Sequence, residues 1–294
     1  MTTKPNVFQK IGAFVVKKSK SFKKNANIVR ELVIKNVKLQ YRNSVIGALW
    51  TVLNPLLNML VMYFVFSTIF DFRSQDEEEW YALYILCGNI MFSFIRNATT
   101  QSLPSIVQNR GLLTKNKISE YVFPISKNLS AVVNFAFSMI ALIGVMAVVS
   151  FFAPGSAFSY TLIFVFLMLP ALFLFSFGLS LILSSLYVFF RDIQHFYTVF
   201  LTLWTYLTPI FWNVNVLADK KETKYLILET VVNLNPMFHF VEYFRDIVYR
   251  CSVSDVSVLG TFSSLAILYI IGGVALGIGI LIFALTRHKF IYNI

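Results

Sequence analysis

Charge is scarce in this sequence: Asp, Glu, Lys and Arg make up 13% of its 294 residues, about half the ~25% usual in a soluble domain. So thin a polar coat cannot cover a chain that is 57% hydrophobic with a mean hydropathy of +0.70, and its apolar side chains must face lipid. Cysteine is nearly absent. Cys87 and Cys251 alone exclude a disulfide scaffold, and the three histidines, His195, His239 and His288, lie too far apart for any local zinc-ligand spacing. Also missing are the phosphate loop G-x-x-x-x-G-K-[ST], the H-E-x-x-H helix, the G-x-S-x-G elbow and any paired acid within an apolar run. Neither nucleotide hydrolysis nor hydrolase chemistry can be placed here. The 31 phenylalanines exclude a disordered chain.

The net charge of +11 would point to nucleic acid in a soluble protein, but its placement points to a membrane instead. Residues 1–48 hold 11 of the 25 basic side chains and a single acid, Glu31. Their apolar patch, Ile11 to Val16, is shorter than the core of a cleavable signal peptide, and no small-residue cleavage pattern follows. The segment reads as a cytoplasmic basic arm. From Ile28 to Arg42, at about 100° per residue, Glu31, Lys35, Lys38 and Arg42 share one arc, and Val29, Leu32, Val33 and Val37 lie opposite. Such a helix lies on a membrane surface, or is a solvated charged face with no lipid contact.

Residues 49–294 hold the long apolar runs, and about 20 helical residues cross a bilayer core. The runs predict six transmembrane helices near Trp50–Phe70, Tyr81–Thr100, Leu129–Phe152, Thr161–Phe189, Phe196–Trp212 and Leu259–Thr286. From Thr161 to Trp212 the only charges are Arg191 and Asp192, and one helix of that length would reach about 78 Å. The chain must turn back at that pair. Six spans place both termini on one side, and with that side cytoplasmic the inner segments hold 18 basic residues against 6 outside, as the positive-inside rule requires.

Two connections have structure of their own. In the cytoplasmic loop 101–127, Pro104 and Gly111 bracket Ser105 to Arg110, the proline-first, glycine-last arrangement of a short helix. The outer segment 213–255 contains two apolar pieces too short to span, Tyr225–Val232 and Met237–Tyr249 after Asn235-Pro236, which read as re-entrant or interfacial helices.

Polar and aromatic stripes mark the predicted spans. Trp50, Asn54 and Asn58 recur at four-residue spacing, as do Asn89, Ser93, Arg96 or Asn97, and Thr100. Such stripes either bond to neighbouring helices or line a wet path. Tyr197, Leu201, Trp204, Thr208 and Phe211 share one face near Pro209, an aromatic wall that suits sugar rings or an ordinary interfacial belt. Gly273 and Gly277 form a G-x-x-x-G packing motif. Arg191 and Asp192 mark either a docking turn or simply the polar residues that any turn between spans needs.

Several of these stretches together resemble the permease subunits of ABC-2 type polysaccharide exporters, which move O-antigen, capsule and teichoic-acid chains across bacterial inner membranes. They are Tyr41-Arg42-Asn43-Ser44-Val45-Ile46-Gly47-Ala48-Leu49-Trp50 running on to Asn54-Pro55-Leu56-Leu57; Gly88-Asn89-Ile90-Met91-Phe92-Ser93-Phe94; Phe190-Arg191-Asp192-Ile193-Gln194-His195; Tyr206-Leu207-Thr208-Pro209-Ile210; and Asn235-Pro236-Met237 with Arg245-Asp246. The similarity runs from about Arg30 to the C-terminus, in order. Phe92 stands where many members carry tryptophan, and the loop before Phe123-Pro124 is a few residues longer than usual.

The resemblance implies an all-α integral membrane half-transporter in the bacterial cytoplasmic membrane, not itself an enzyme. A second copy would complete the conduit, and two copies of a nucleotide-binding ATPase would hold the ATP and Mg²⁺. It implies no cofactor on this chain. The substrate would be a lipid-linked glycan, whose head meets Lys35, Lys38 and Arg42 beside the membrane lipids and whose chain slides along Trp50, Asn54, Asn58, Tyr197, Trp204, Thr208 and Phe211. Ser105, Arg110, Leu112, Lys115, Arg191 and Asp192 would couple to the ATPase, and Asn235, Pro236, Phe238, Tyr243 and Arg245 would form the gate. A free-standing channel or secondary transporter would instead need an ion-coupling carboxylate or an internal repeat, and neither is evident. A membrane glycosyltransferase would need catalytic acids, but Asp71 to Glu79 read as a solvated charge run.

Overall fold

The computed structural model describes residues 25–40, 42, 47, 49–66, 80–115, 118–152, 160–212, 223–250, 258–287 and 290. The basic arm before residue 25, the acids Asp71 to Glu79 and most of the Tyr41–Ala48 motif lie outside them. All the helices belong to one α-helical bundle: α1 (25–40), α2 (Leu49–Phe64), α3 (Tyr81–Ser102), α4 (Ser105–Gln108), α5 (Arg110–Lys115), α6 (Val122–Phe152), α7 (Phe164–Phe189), α8 (Ile193–Leu207), α9 (Thr223–Asn233), α10 (Pro236–Arg245) and α11 (Val258–Thr286). A 3₁₀ turn, Tyr160–Ile163, leads into α7, and a π turn, Asp246–Arg250, ends α10.

The expectation of six transmembrane helices does not hold. Among the described residues three helices are long and apolar enough to cross a membrane: Val122–Phe151, Thr161–Phe189 and Phe262–Thr286. The others fail for identifiable reasons. With 16 and 15 residues, α2 and α8 reach about 24 and 22 Å, short of a bilayer core of about 30 Å. The 22 residues of α3 are sufficient in length, but the helix carries Asn89, Ser93, Arg96, Asn97, Thr99, Thr100, Gln101 and Ser102. Its apolar side chains point inward, with Leu83, Ile85, Leu86, Met91 and Ile95 all inaccessible. Helix α3 is the centre of the bundle, packed by α2, α6, α7 and α10.

Helices α7 and α11 pack against each other along their length, and their closest point is a glycine crossing. A Cβ on Gly178 would overlap the Ala275 carbonyl, and one on Gly279 would sit 2.9 Å from the Cα of Gly178. Gly273 and Gly277, expected to be the packing pair, face outward, and a Cβ on either would meet nothing within 4 Å. The true seam lies one residue before Gly273 and two after Gly277, because Gly272, Ala275 and Gly279 are the small residues on the side facing α7.

The expected single helix over Ser105 to Arg110 is two short ones, broken at Asn109. The Asn109 amide donates to the Ser105 carbonyl at 2.8 Å and Leu112 N–H to the Asn109 carbonyl at 2.9 Å, so the side chain closes α4 while the backbone opens α5. Gly111 consequently lies inside α5. Helix α1 keeps its charged arc exposed, but its opposite face is taken by α6 as well as offered to lipid. Leu32 is buried with Val122 and Phe123, Asn25 donates to Ser119 and Tyr121 at 3.1 and 3.0 Å, and Asn134 donates to Gln40 at 3.2 Å. Thus α1 runs alongside α6 in the same direction. Before α2 the chain turns at Gly47, whose φ of 54° is the left-handed conformation that favours glycine.

The glycine crossing predicts a graded outcome. Gly178→Val and Gly279→Val should each destabilise the solubilised protein by about 2 kcal/mol or more, whereas Gly277→Val should leave it unchanged. Thermal denaturation followed by size-exclusion chromatography measures the difference.

Candidate functional site

An open polar flank runs down the bundle between α2, α3, α6 and α8. Its first cleft, about 320 Å³, is lined by Trp50, Asn54 and Asn58 of α2, Ser93 and Asn97 of α3, and Asn134 and Ser138 of α6. The second, about 270 Å³, continues from Asn58 to Asn89 and Arg96 of α3, and to Thr202, Thr205 and Tyr206 of α8, with Phe211 at its wall. The two clefts share Asn58. Four-residue spacing explains their form: α2 turns Trp50, Asn54 and Asn58 to one side, and α3 presents Asn89, Ser93 and Asn97 opposite. Asn54, Asn58, Arg96, Asn97 and Thr202 are exposed on the isolated chain. Lipid is a poor solvent for such a strip, so water or protein must cover it.

The expected path residues do not form one surface. Trp50, Asn54 and Asn58 line the first cleft and Phe211 the second, where its ring stacks on Phe66 at 5.2 Å. Tyr197 and Trp204 lie on the opposite face of α8, beside an apolar groove of about 570 Å³ shared with α7, α9 and α10. Both are buried. Tyr197 donates to Thr99 at 2.7 Å, tying the start of α8 to α3. Trp204 packs edge-on against Phe92, with centroids 5.8 Å apart, and its indole N–H donates to Asn235 Oδ1 at 2.8 Å.

That last bond belongs to a closed polar node. Asn235 Nδ2 donates to the Thr208 hydroxyl at 2.8 Å, the Thr208 hydroxyl donates to the Trp204 carbonyl at 2.8 Å, and Met237 N–H donates to Asn235 Oδ1 at 3.0 Å. Asn235 therefore caps α10, with Pro236 at its first position, and fastens α10 to the end of α8. Two residues expected on the path and two expected in the gate are thus brought together.

At the other end of α10, Arg245 is fully buried. Its Nε and Nη2 donate to the Tyr84 carbonyl at 3.3 Å, Nη2 to the Ile210 carbonyl at 3.2 Å, and Nη1 pairs with Glu242 at 2.6 Å. The guanidinium also lies 3.4 Å above the Tyr84 ring. Tyr84 in turn donates to the Trp212 carbonyl at 2.6 Å, and Tyr81 to the Phe211 carbonyl at 2.7 Å. The Ile210, Phe211 and Trp212 carbonyls lie just past the end of α8 at Thr208, and the Tyr84 carbonyl belongs to α3. Tyr243 is buried in the same region, and Phe238 is partly buried beside His239.

The expected coupling residues gather at one end of the bundle. Ile106 packs with Val188 and Phe290, and Leu113 and Phe189 cover them. Leu112 joins Leu32 and Phe123. Ser105 is buried and donates to the Ser102 carbonyl at 2.6 Å, whereas Arg110, Arg191 and Asp192 are exposed. The Lys115 side chain lies outside the described residues. Lys35, Lys38 and Arg42 are exposed as expected of their arc.

Sequence reasoning missed the polar node above α4. Asn128 donates to Ser102, Pro124 and Ser180 at 3.1, 2.9 and 2.9 Å, and Ser176 donates to its carbonyl at 2.8 Å. A signal existed, since Ser176, Ser180 and Ser184 repeat every fourth residue. Among the described residues no group of three His, Cys, Asp or Glu could hold a metal ion.

The chain matches the ABC-2 type transporter family over residues 28–249. It is 24% identical over 257 residues to the O-antigen export system permease protein RfbA of Klebsiella pneumoniae, covering 87% of this chain and 90% of that one. It is 25% identical over 240 residues to the protein of the same name from Myxococcus xanthus, covering 80% and 85%.

The Asn235 node predicts a coupled loss. Asn235→Ala should destabilise the protein by about 1–3 kcal/mol, partly by leaving the indole N–H buried without its acceptor, and in a Trp204→Phe background Asn235→Ala should cost less, keeping only the loss of the α10 cap and of the Thr208 contact. A thermal-melt double-mutant cycle tests it.

Proposed function

The chain belongs to the ABC-2 type transporter family, and from that membership we propose that this multi-pass membrane permease subunit exports a lipid-linked polysaccharide, of O-antigen, capsule or teichoic-acid type, across the bacterial cytoplasmic membrane. The observation that carries the reading is the open polar flank between α2, α3 and α8, lined among the described residues by amides, hydroxyls, rings and the Arg96 guanidinium, with no carboxylate among them. Amides and hydroxyls match sugar hydroxyls, and Trp50 and Tyr206 offer exposed rings to sugar faces. The names of the two relatives point to the same substrate class.

A flank of this kind needs a cover. A second copy of the chain facing it would close a central conduit, and so hide the exposed Asn54 and Asn58 from lipid. ATP and Mg²⁺ would reside on two copies of a separate ATPase subunit. Its docking site would be the end built by α4, α5 and the Arg191–Asp192 turn, where exposed polar residues stand on a buried apolar base. The described ends of the chain meet that same end, through Leu32 and Phe290. We therefore place both on the cytoplasmic side, with Lys35, Lys38 and Arg42 toward anionic lipid heads, each worth about 1 kcal/mol near a charged surface. The α9–α10 segment, held by Asn235 and Arg245, would act as the outer gate.

Two measurements test the proposal. The tagged chain taken from its own membranes in mild detergent should bring down a stoichiometric subunit carrying a phosphate loop. Asn54→Leu with Asn58→Leu should cut surface glycan by about tenfold, as lost hydrogen bonds to a passing chain would, with the complex intact. Full export by that variant would remove the flank from the path.

A further inference from the structure

Two arginines of the bundle stand in opposite circumstances. Arg245 is buried, and its donors meet two backbone carbonyls and a carboxylate. Arg96 faces the second cleft, with one hydrogen bond, from Nη2 to the Thr205 hydroxyl at 2.9 Å, and its guanidinium 5.4 Å from the Phe92 ring. Both partners are neutral. No carboxylate among the described residues lies within 4 Å of it.

A guanidinium carries five N–H donors in one plane, a fork that matches the paired oxygens of a carboxylate or phosphate. The Thr205 contact occupies one arm and holds the side chain in place. Around the remaining arms the cleft supplies the amides of Asn58 and Asn89, which can donate to further oxygens of the same anion. A cation on a helix of a membrane bundle is unfavourable unless water or an anion meets it, and among the described residues the first cleft next to it is lined by no charged side chain of either sign.

From this arrangement we infer that Arg96 is an anion-reading residue of the conduit. It takes an oxyanion carried by the substrate, a carboxylate or phosphate of the sugar repeat or the pyrophosphate of the lipid linkage, while the neutral cleft beside it accepts sugars without discrimination. Arg96 sits six residues before Ser102, about 9 Å along α3 from the end where α4 begins. A chain arriving from that end meets the charge early. The inference rests on the conduit reading, so its test separates the two.

The intact complex of permease and ATPase, reconstituted in nanodiscs, is titrated by thermophoresis with undecaprenyl pyrophosphate, with a galacturonate hexasaccharide and with neutral maltohexaose. At least one anionic probe should bind about tenfold or more weakly to R96Q, the effect of losing a charge-assisted pair. R96K should recover part of the loss, and maltohexaose should bind alike in all three. Dependence confined to the galacturonate places the anion in the sugar repeat, and dependence confined to the pyrophosphate places it in the lipid linkage. In the unmodified complex, added salt should weaken the anionic probe and spare the neutral one, a reading that stands even if R96Q fails to fold. Binding that ignores both the substitution and salt overturns the role of Arg96 and leaves the conduit standing. If no probe binds at all, and a photocrosslinker at position 54 captures no glycan in exporting cells, the conduit reading itself falls.

Discussion

A hydrogen-bonding group held away from water must be met by another polar group, and in a bundle this apolar that requirement decides where each helix can lie. Helix α3 is where it bears hardest. Its apolar residues fill the core while its polar ones emerge on two other sides, so lipid cannot surround it. One set is answered inside: Thr99 by Tyr197, and Ser102 by Asn128. The other, Asn89, Ser93, Arg96 and Asn97, opens on the flank. The neighbours of α3 follow from this division, with α6 and α7 closing the inner side and α2 and α8 framing the outer.

The same requirement explains how the short helices are held. Neither α9 nor α10 has the length or the apolar area to be secured by lipid alone, and α10 is instead fixed at both ends by polar contacts. Asn235 satisfies a helix N-terminus and an indole together, and Arg245 bridges the Tyr84 carbonyl of α3 and the Ile210 carbonyl just past the end of α8. Removing one partner from such a site leaves another buried donor or acceptor unmet, which is why these contacts specify a position more than they add net stability. Met237, Phe240, Val241 and Phe244 of the same helix are buried in the apolar core, so packing holds α10 along its length while the polar contacts fix its two ends.

At the other end, α4 is joined to the span helices through Ser105, Ser102 and Asn128. Asn128 bonds to α3, α6 and α7 at once, so α4 is tied through Ser102 to the helix that lines the flank and to two helices long and apolar enough to cross a bilayer. The apolar contacts of Ile106 and Leu113 extend the connection to Phe290, beyond the end of α11.

Helix positions were legible along the chain because apolar runs and polar breaks are local properties: the turn at Arg191–Asp192 and the start of α10 at Pro236 lie where residue chemistry demands. The stripes were legible for the same reason, since helical spacing puts Trp50, Asn54 and Asn58 on one side whatever surrounds them. Which helices cross was not, because composition counts polar residues without knowing whether a neighbour answers them, and α3 reads as a span until its partners are placed. Nor could spacing assign the α8 aromatics. Tyr197 and Trp204 share a face, but that face turns to α7 and Asn235, and Thr202 and Thr205 meet the cleft instead. The glycine seam shifted from Gly273 and Gly277 to Gly272 and Gly279 for a related reason: each residue turns a helix by about 100°, so neighbouring glycines face different sides and only the packed partner selects which. Periodicity thus settles which residues travel together, and long-range packing settles what they meet.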